Sequence, residues 1–272
     1  MSEACAVEAS LIIPAFNEAA ALPDTLRSLR EAVAECDAEV EIVVVDNNST
    51  DGTPEVARAH GADRVVFEAV NQIARARDAG AAAAAGRWLV FVDADTKLSA
   101  GLLDATLGVL RSGEAVAGGA VVAFDREVGV VPRGLLWLWN AISRWRRWAA
   151  GCYVFCSRDA FDAVGGFGTR DFAGEEVAFS RLVHRWSKRT GRGGPERFVI
   201  LAQPRVVTSA RKIHRWPHIL PVLLLMGLVP WTRRLRWLCG WWYAASKGDE
   251  RTGPTPQTGE TQASGDSSSA FR

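Results

Sequence analysis

A single α/β domain, built on a mostly parallel sheet with helices on both faces, is the fold class this sequence predicts. Two observations predict it. Short apolar, β-branched runs alternate with helix-periodic segments through the first hundred residues, and three polar clusters each begin where such a run stops. In open sheets of that kind, ligands gather at the carboxyl ends of the strands. With 272 residues, 48% of them hydrophobic and 23% charged, the chain has enough apolar material for one sizeable core.

The elements follow in order. Ser10–Ile13 is a buried strand that Pro14 ends, and Ala19–Glu35 places Leu22, Leu26, Leu29 and Val33 at helical spacing. Glu41–Val45 is a second strand, stopping at the polar cluster Asp46–Asp51. Thr53–His60 is a helix with Pro54 in its first turn. Arg64–Phe67 is a third strand, Ile73–Gly86 a helix that takes in five consecutive alanines, and Trp88–Val92 a fourth strand ending at Asp93. Beyond Gly101–Leu110 (helix) and Ala115–Phe124 (strand) the alternation weakens. Gly134–Trp148 is rich in Trp and Arg. Gly151–Cys156 reads as a strand, Arg158–Val164 and Glu175–Arg189 as helices, and Phe198–Gln203 and Arg205–Thr208 as edge strands. Residues 1–248 form the expected domain. Asp249–Arg272, almost without large apolar residues, is expected to be a disordered tail.

Charge divides the chain. Between Asn140 and Gly248 stand 19 Lys and Arg against 6 Asp and Glu, whereas the remainder carries 13 against 25. An acidic half able to hold a metal thus precedes a basic half able to face an anionic ligand or lipid headgroups, or simply water. The five cysteines show neither zinc spacing nor a disulfide framework, which fits reduced thiols in a cytoplasmic protein. Met1–Ser10 has no basic, apolar leader pattern. The longest apolar run, Ile219–Trp231, is broken by Pro221 and Pro230 and is too short to span a bilayer.

Asp93-Ala94-Asp95 offers two carboxylates just beyond a strand, a pair able to chelate a hard divalent cation such as Mg²⁺ or Mn²⁺. Such a cation takes up negative charge on a diphosphate leaving group. Alone, Asp-x-Asp also describes a solvated turn. Asp46 directly follows a buried strand, where its carboxylate can accept from a base N–H or a ribose hydroxyl. The Ser49–Asp51 stretch also suits helix capping.

Four segments, Pro14-Ala-Phe-Asn17-Glu18, Val-Val-Val-Asp46-Asn-Asn-Ser-Thr-Asp51-Gly-Thr, Ala-Arg75-Ala-Arg77-Asp-Ala-Gly80 and Phe-Val-Asp93-Ala-Asp95-Thr, resemble the family 2 glycosyltransferases of the GT-A (Rossmann-like) fold in order and spacing. That resemblance implies a nucleotide-diphosphate sugar donor, a Mn²⁺ or Mg²⁺ cofactor and displacement with inversion at the anomeric carbon. It places Pro14, Phe16, Glu18 and Asp46 in the nucleoside pocket, Arg77 near the donor, Asp93 at the ribose, sugar or metal, and Asp95 on the metal. Residues 1–100 would form the donor half and 101–248 the acceptor half. Asp78 departs from the pattern, since the family commonly has Asn there, and would add charge near the diphosphate.

The second half matches more loosely. Gly151–Phe167 resembles the acceptor-side strand and helix, and Glu175-Glu176 stands where the family has Glu-Asp, whose Asp deprotonates the acceptor. Glu176 matches that base, one methylene longer, with Glu175 beside it as the other candidate. Acidic residues also favour a helix N-terminus without any catalytic role. Arg211 and Lys212 are placed to cover the diphosphate, and His214 to complete the metal shell, though a lone His is often structural. Trp and Arg crowd Leu135–Trp148 and Trp231–Trp242, a mixture suited to peripheral contact with an anionic membrane or to Trp packed under Arg. The acceptor is unidentified and no nucleic-acid partner is expected. Two alternatives stay open: a non-catalytic, membrane-associated binding protein of this fold, and a nucleotidyltransferase, although the Gly-rich phosphate loop of the latter is absent after the first strand. No G-x-G-x-x-G follows that strand either, which argues against a dinucleotide dehydrogenase.

Overall fold

The computed structural model describes residues 7–168, 174–190 and 197–211. Eight strands and seven helices run in the order β1 (Ala9–Ala15), α1 (Leu22–Glu35), β2 (Val40–Asp46), α2 (Thr53–Ala59), β3 (Arg64–Phe67), α3 (Ile73–Ala83), β4 (Trp88–Val92), β5 (Thr96–Leu98), α4 (Leu102–Arg111), β6 (Ala117–Phe124), α5 (Val130–Arg146), β7 (Tyr153–Ser157), α6 (Arg158–Val164), α7 (Glu175–Arg189) and β8 (Phe198–Thr208).

The strands form one sheet in the order β3-β2-β1-β4-β7-β6-β8-β5. β1 pairs in parallel with β2 on one side and β4 on the other, so the chain winds outward one way and then returns to wind the other. That reversal opens a crevice at the carboxyl ends of β1 and β4. Only β7 and β5 run against the remaining described strands. Every residue of β1 is buried, as a strand covered on both faces requires. Leu11 and Ile13 pack with α1 and α4 residues on one face, Ile12 with Val43, Val45 and Ala74 on the other. α3 lies so close to the sheet that a Cβ on Gly80 would overlap the Ile12 and Val45 side chains.

Several expectations change at element ends. α3 stops at Ala83 rather than Gly86 because Ala85 N–H donates to the Glu41 carboxylate at 2.5 Å and Gly86 N–H to the Ser10 hydroxyl at 2.9 Å. β8 is one strand, not two. Residues 202–205 bulge out between the pairs Ala120↔Leu201 and Val122↔Val206, and Pro204 sits in the bulge, where its missing N–H costs no ladder bond. Its second half is no edge, since the three-residue β5, unforeseen in the sequence, pairs with Val206–Thr208. The Trp/Arg-rich segment forms α5. Lys212, His214, Trp231–Trp242 and the tail 249–272 lie outside the described residues.

Candidate active site

The loops after β1 and β2 are laced together, which explains most of their polar residues. Asn17, at φ 52°, takes Thr50 N–H on its side-chain oxygen at 2.7 Å, and its own N–H donates to Ser49 Oγ at 3.0 Å. Glu18 N–H donates to Thr53 Oγ1 at 3.0 Å and Ala19 N–H to Asp51 at 3.1 Å. Asp51 also accepts Thr53 N–H, at the first residue of α2, at 3.1 Å. Asp46 Oδ1 accepts Ser49 N–H at 2.9 Å, closing its own turn. Ser49 and Thr50 are thus used in joining the two loops, and Asp51 in joining Ala19 to the start of α2.

A cleft at the β1/β4 crevice is lined by Pro14, Phe16, Glu18, Asp93 and Asp95, together with Ala15, Asn47, Asn71, Ile73 and Ala94. Of the seven residues expected to bind donor, five wall this cleft or its mouth; Asp46 and Arg77 do not line it. Asn47, one residue beyond Asp46, takes its place and is fixed by donating to Glu68 O at 3.2 Å and Val70 O at 2.6 Å. Asn71 Oδ1 is buried without a hydrogen-bond partner, an unmet acceptor at the cleft wall. Neither asparagine was singled out in the sequence, because an Asn beside a strand end or a helix start reads as a cap.

Arg77 lies beneath the cleft with its side chain 1% exposed. Nη1 donates to Glu175 Oε1 at 2.7 Å, and Nη2 donates to Asp93 Oδ1 at 3.1 Å and to Gly151 O at 2.8 Å. The Phe167 ring stands 5.1 Å from its guanidinium carbon. Burial works against this charge, but Glu175, Asp93 and Glu176 hold it above the ordinary arginine range. Arg77 is thus a positioning residue in this geometry, tying the strand-β4 end to the start of α7.

Glu175 is spent on that ion pair. Glu176 is only partly buried, with its carboxyl carbon 3.5 Å from where a Cβ on Gly151 would stand. Burial, and then the negative charge of Glu175, push its carboxyl up to about 8 against the pull of Arg77. Asp78 does not add charge to the cleft: its Oδ1 accepts Phe167 N–H at 2.9 Å and anchors the Gly166–Gly168 turn, and burial raises its pKa.

Arg211 closes the mouth. Its Nη2 donates to Glu18 Oε2 at 2.5 Å and stands 3.6 Å from Asp95 Oδ2. A cation beside the buried Asp95 shows that this carboxylate calls for positive charge, and Asp93 and Asp95 supply the hard oxygen donors that Mn²⁺ or Mg²⁺ prefers. Among the described residues no group of three His, Cys, Asp or Glu clusters for a metal, so the remaining positions would fall to ligand oxygens and water. His214, the other expected ligand, lies outside the described residues.

Comparison with known proteins agrees with this fold. The chain is 31% identical over 166 residues to an undecaprenyl-phosphate mannosyltransferase of Micrococcus luteus, covering 57% of this chain and 63% of that one. It is 33% identical over 135 residues to the uncharacterized glycosyltransferase YfnE of Bacillus subtilis, covering 48% of this chain and 30% of that one. The matches thus span only 30% to 63% of these two relatives' own lengths. Among solved structures, the fold is shared with the mannosyltransferase PcManGT of Pyrobaculum calidifontis in complex with GDP-Man and Mn²⁺ (TM-score 0.61, 19% identity, 89% of this chain and 72% of that). It is also shared with glucosyl-3-phosphoglycerate synthase of Mycobacterium tuberculosis bound to Mn²⁺, UDP and product (TM-score 0.54, 22% identity, 84% of this chain and 80% of that). The family model described as glycosyl transferase family 2 matches residues 10–174, which holds β1 through α6 and every cleft-lining residue named above; the chain belongs to that family.

Proposed function

We propose that the chain transfers a sugar from a nucleotide-diphosphate sugar to an acceptor hydroxyl, with inversion and with dependence on a divalent cation. One observation carries the reading: buried Arg77 binds Asp93, on the cleft wall, and Glu175, next to Glu176, in a single network. Donor-side and acceptor-side carboxylates are thereby held together at the crevice. Pro14, Phe16 and Asn47 would border the nucleoside, and Asp93 the ribose or sugar. Asp46 would act on the nucleoside through the turn it closes. Asp95 and Asp93 would hold Mn²⁺ or Mg²⁺, which when bound neutralises charge on the diphosphate. Arg211 would turn from Glu18 to the phosphate oxygens, to which a guanidinium bonds bidentately. Glu176 would take the acceptor proton as its oxygen attacks the anomeric carbon from the face opposite the departing nucleoside diphosphate, a contribution of about 10²–10⁴ in rate. The shared fold of PcManGT, solved in complex with GDP-Man and Mn²⁺, supports the donor class and the metal. The protein would work on the cytoplasmic side in peripheral contact with an anionic membrane. No described helix is long and apolar enough to cross one.

The test is calorimetric titration of a panel of nucleotide-sugars into wild type and Asp95→Ala, with Mn²⁺ or with EDTA. Tight binding only for wild type with Mn²⁺ is expected. Equal affinity in all four conditions would refute the metal site.

A second reading concerns the acceptor. A carboxyl pushed up to about 8 is mostly protonated at neutral pH, which suits an acceptor that needs no base. A phosphate monoester, with its second pKa near ~6, arrives already ionised. The Micrococcus relative is named for undecaprenyl phosphate. Glu176→Gln would spare transfer to such an acceptor and abolish transfer to a hydroxyl.

A further inference from the structure

α5 turns its apolar side the wrong way for a helix of a water-soluble fold. Its inner face is fixed by Asn140, whose carboxamide donates to Val122 O at 2.9 Å and accepts Val122 N–H at 3.1 Å. It thus pairs with β6 beyond Gly119, where β7 no longer does. Ser143 is the helix's buried residue. At about 100° per residue that anchoring sends Val130, Val131, Leu135, Trp137, Leu138 and Trp145 outward. The exposure agrees: Val130 is 75% exposed, Trp137 71% and Trp145 75%. Trp139, by contrast, packs against the core, and Trp148 lies between Arg146 and Arg181. The tryptophans of this segment are thus divided between an exposed face and positions packed on the core or against arginines.

Arginines rim this outward arc. Arg133 and Arg144 follow one border and Arg146 the other, the latter with its guanidinium 4.4 Å from the Trp145 ring. Between α5, β6 and the β8 bulge runs an open groove of about 750 Å³, lined by Arg133, Arg144 and Arg205 as well as Arg126 and Glu127. Arg126 pairs with Asp125. Arg133, Arg144 and Arg205 make no ion pair among the described residues, and in the groove they outnumber the single acidic residue that lines it, Glu127. An apolar arc beside unpaired cations is complementary to one kind of surface, in which apolar chains lie under phosphates.

We propose that α5 docks the protein on an anionic phospholipid bilayer, with its outward arc at the headgroup boundary and Arg133, Arg144 and Arg205 on lipid phosphates. This deepens the membrane contact proposed above by assigning it an element, a face and a groove. It is independent of the sugar-transfer chemistry. Both ends of α5 lead to the cleft: Asp125, just before it, accepts Ala210 N–H at 2.9 Å beside Arg211, and Gly151, just after it, meets Arg77 and Glu176. Docking through α5 therefore sets the acceptor side of the cleft next to the bilayer.

The experiment is cosedimentation of the full chain with vesicles of phosphatidylglycerol and phosphatidylcholine, and with vesicles of phosphatidylcholine alone, across a salt series. Wild type is expected to pellet with the anionic vesicles and to be released by salt. Arg133→Gln/Arg144→Gln/Arg205→Gln should weaken partitioning roughly a hundredfold at low salt, at about fivefold for each charge. Trp137→Ser/Trp145→Ser should weaken it roughly tenfold or more, with little dependence on salt. Both sets alter exposed side chains, and nucleotide-sugar titration without vesicles should match wild type. If that titration fails in wild type while vesicles still bind, the donor reading falls and this proposal stands. Wild type remaining in the supernatant at low salt overturns the proposal. So does binding that neither set of substitutions weakens. A lipid-free dimer that Trp137→Ser/Trp145→Ser dissociates would give the face to a second copy of the chain and overturn it too.

Discussion

Glu175 and Glu176 are chemically alike and adjacent, yet their surroundings give them opposite work. Glu175 accepts from Arg77 at 2.7 Å and serves as its counter-charge. Glu176 has its carboxyl pushed from 4.5 to about 8 by burial and by Glu175. Because the folded state holds that proton more tightly than the unfolded chain does, its contribution to stability falls as pH rises from about 4.5 to about 8. Glu176→Gln is therefore expected to raise the melting temperature relative to wild type at pH 8 and to change it little at pH 4.5. Glu175→Gln should lower it, because Arg77 loses a partner. As a base toward a hydroxyl acceptor, Glu176 must be ionised, so kcat should climb with pH through about 8, and Glu176→Gln should lose kcat and kcat/KM together. Thermal melts and pH–rate profiles of the two variants check this. An active Glu176→Gln beside a dead Glu175→Gln would exchange the roles.

At the scale of elements, what was legible followed from burial. Strands β1, β2 and β4 are covered on both faces, so they read as mainly apolar runs, and the clusters that follow them fall at one sheet edge. α3 was legible as a helix but not in its fit. Gly80 sits where a Cβ would overlap Ile12 and Val45, so Gly80→Ala should destabilise by roughly 1–3 kcal/mol despite the better helix propensity of Ala. Urea denaturation decides the sign, and an unchanged or stabilised variant would mean that α3 can lift from the sheet. Three elements were illegible for separate reasons. β5 is three residues long, below any periodicity. β8 contains Gln203-Pro204, which reads as a break and is in fact a bulge in a continuing strand. α5 sends six of its large apolar residues outward and packs Leu136 and Trp139 inward, so apolar spacing alone does not pick out its core face. At the site, the carboxylates after strands were legible, whereas the bonds that Arg77 makes were not, because its partners Asp93 and Glu175 stand 16 and 98 residues away.

Across the whole molecule, many polar contacts join residues 1–100 to the described residues beyond them, and those of Arg77 come from a side chain that is 1% exposed. Arg77 belongs to the donor half, as does Asp93, while Glu175 and Gly151 belong to the acceptor half. Removing one partner of a buried pair leaves an uncompensated charge and costs about 3–5 kcal/mol, whereas replacing both with apolar residues is often close to neutral. Arg77→Leu should therefore be strongly destabilised, and Arg77→Leu/Glu175→Leu should recover much of that loss. The double variant should not recover transfer, since Asp93 loses the donor that fixes Oδ1 and Glu176 loses the cation that draws its pKa down. Arg77→Lys keeps the charge but cannot span Asp93, Glu175 and Gly151 O with a planar fork, so it should fold with a reduced kcat and a donor KM near wild type. Denaturation of the cycle measures the coupling and initial rates measure the chemistry. A double variant that folds and transfers normally would show that Arg77 only balances charge. One that folds but is inactive would show that the cation aligns the two halves for the reaction.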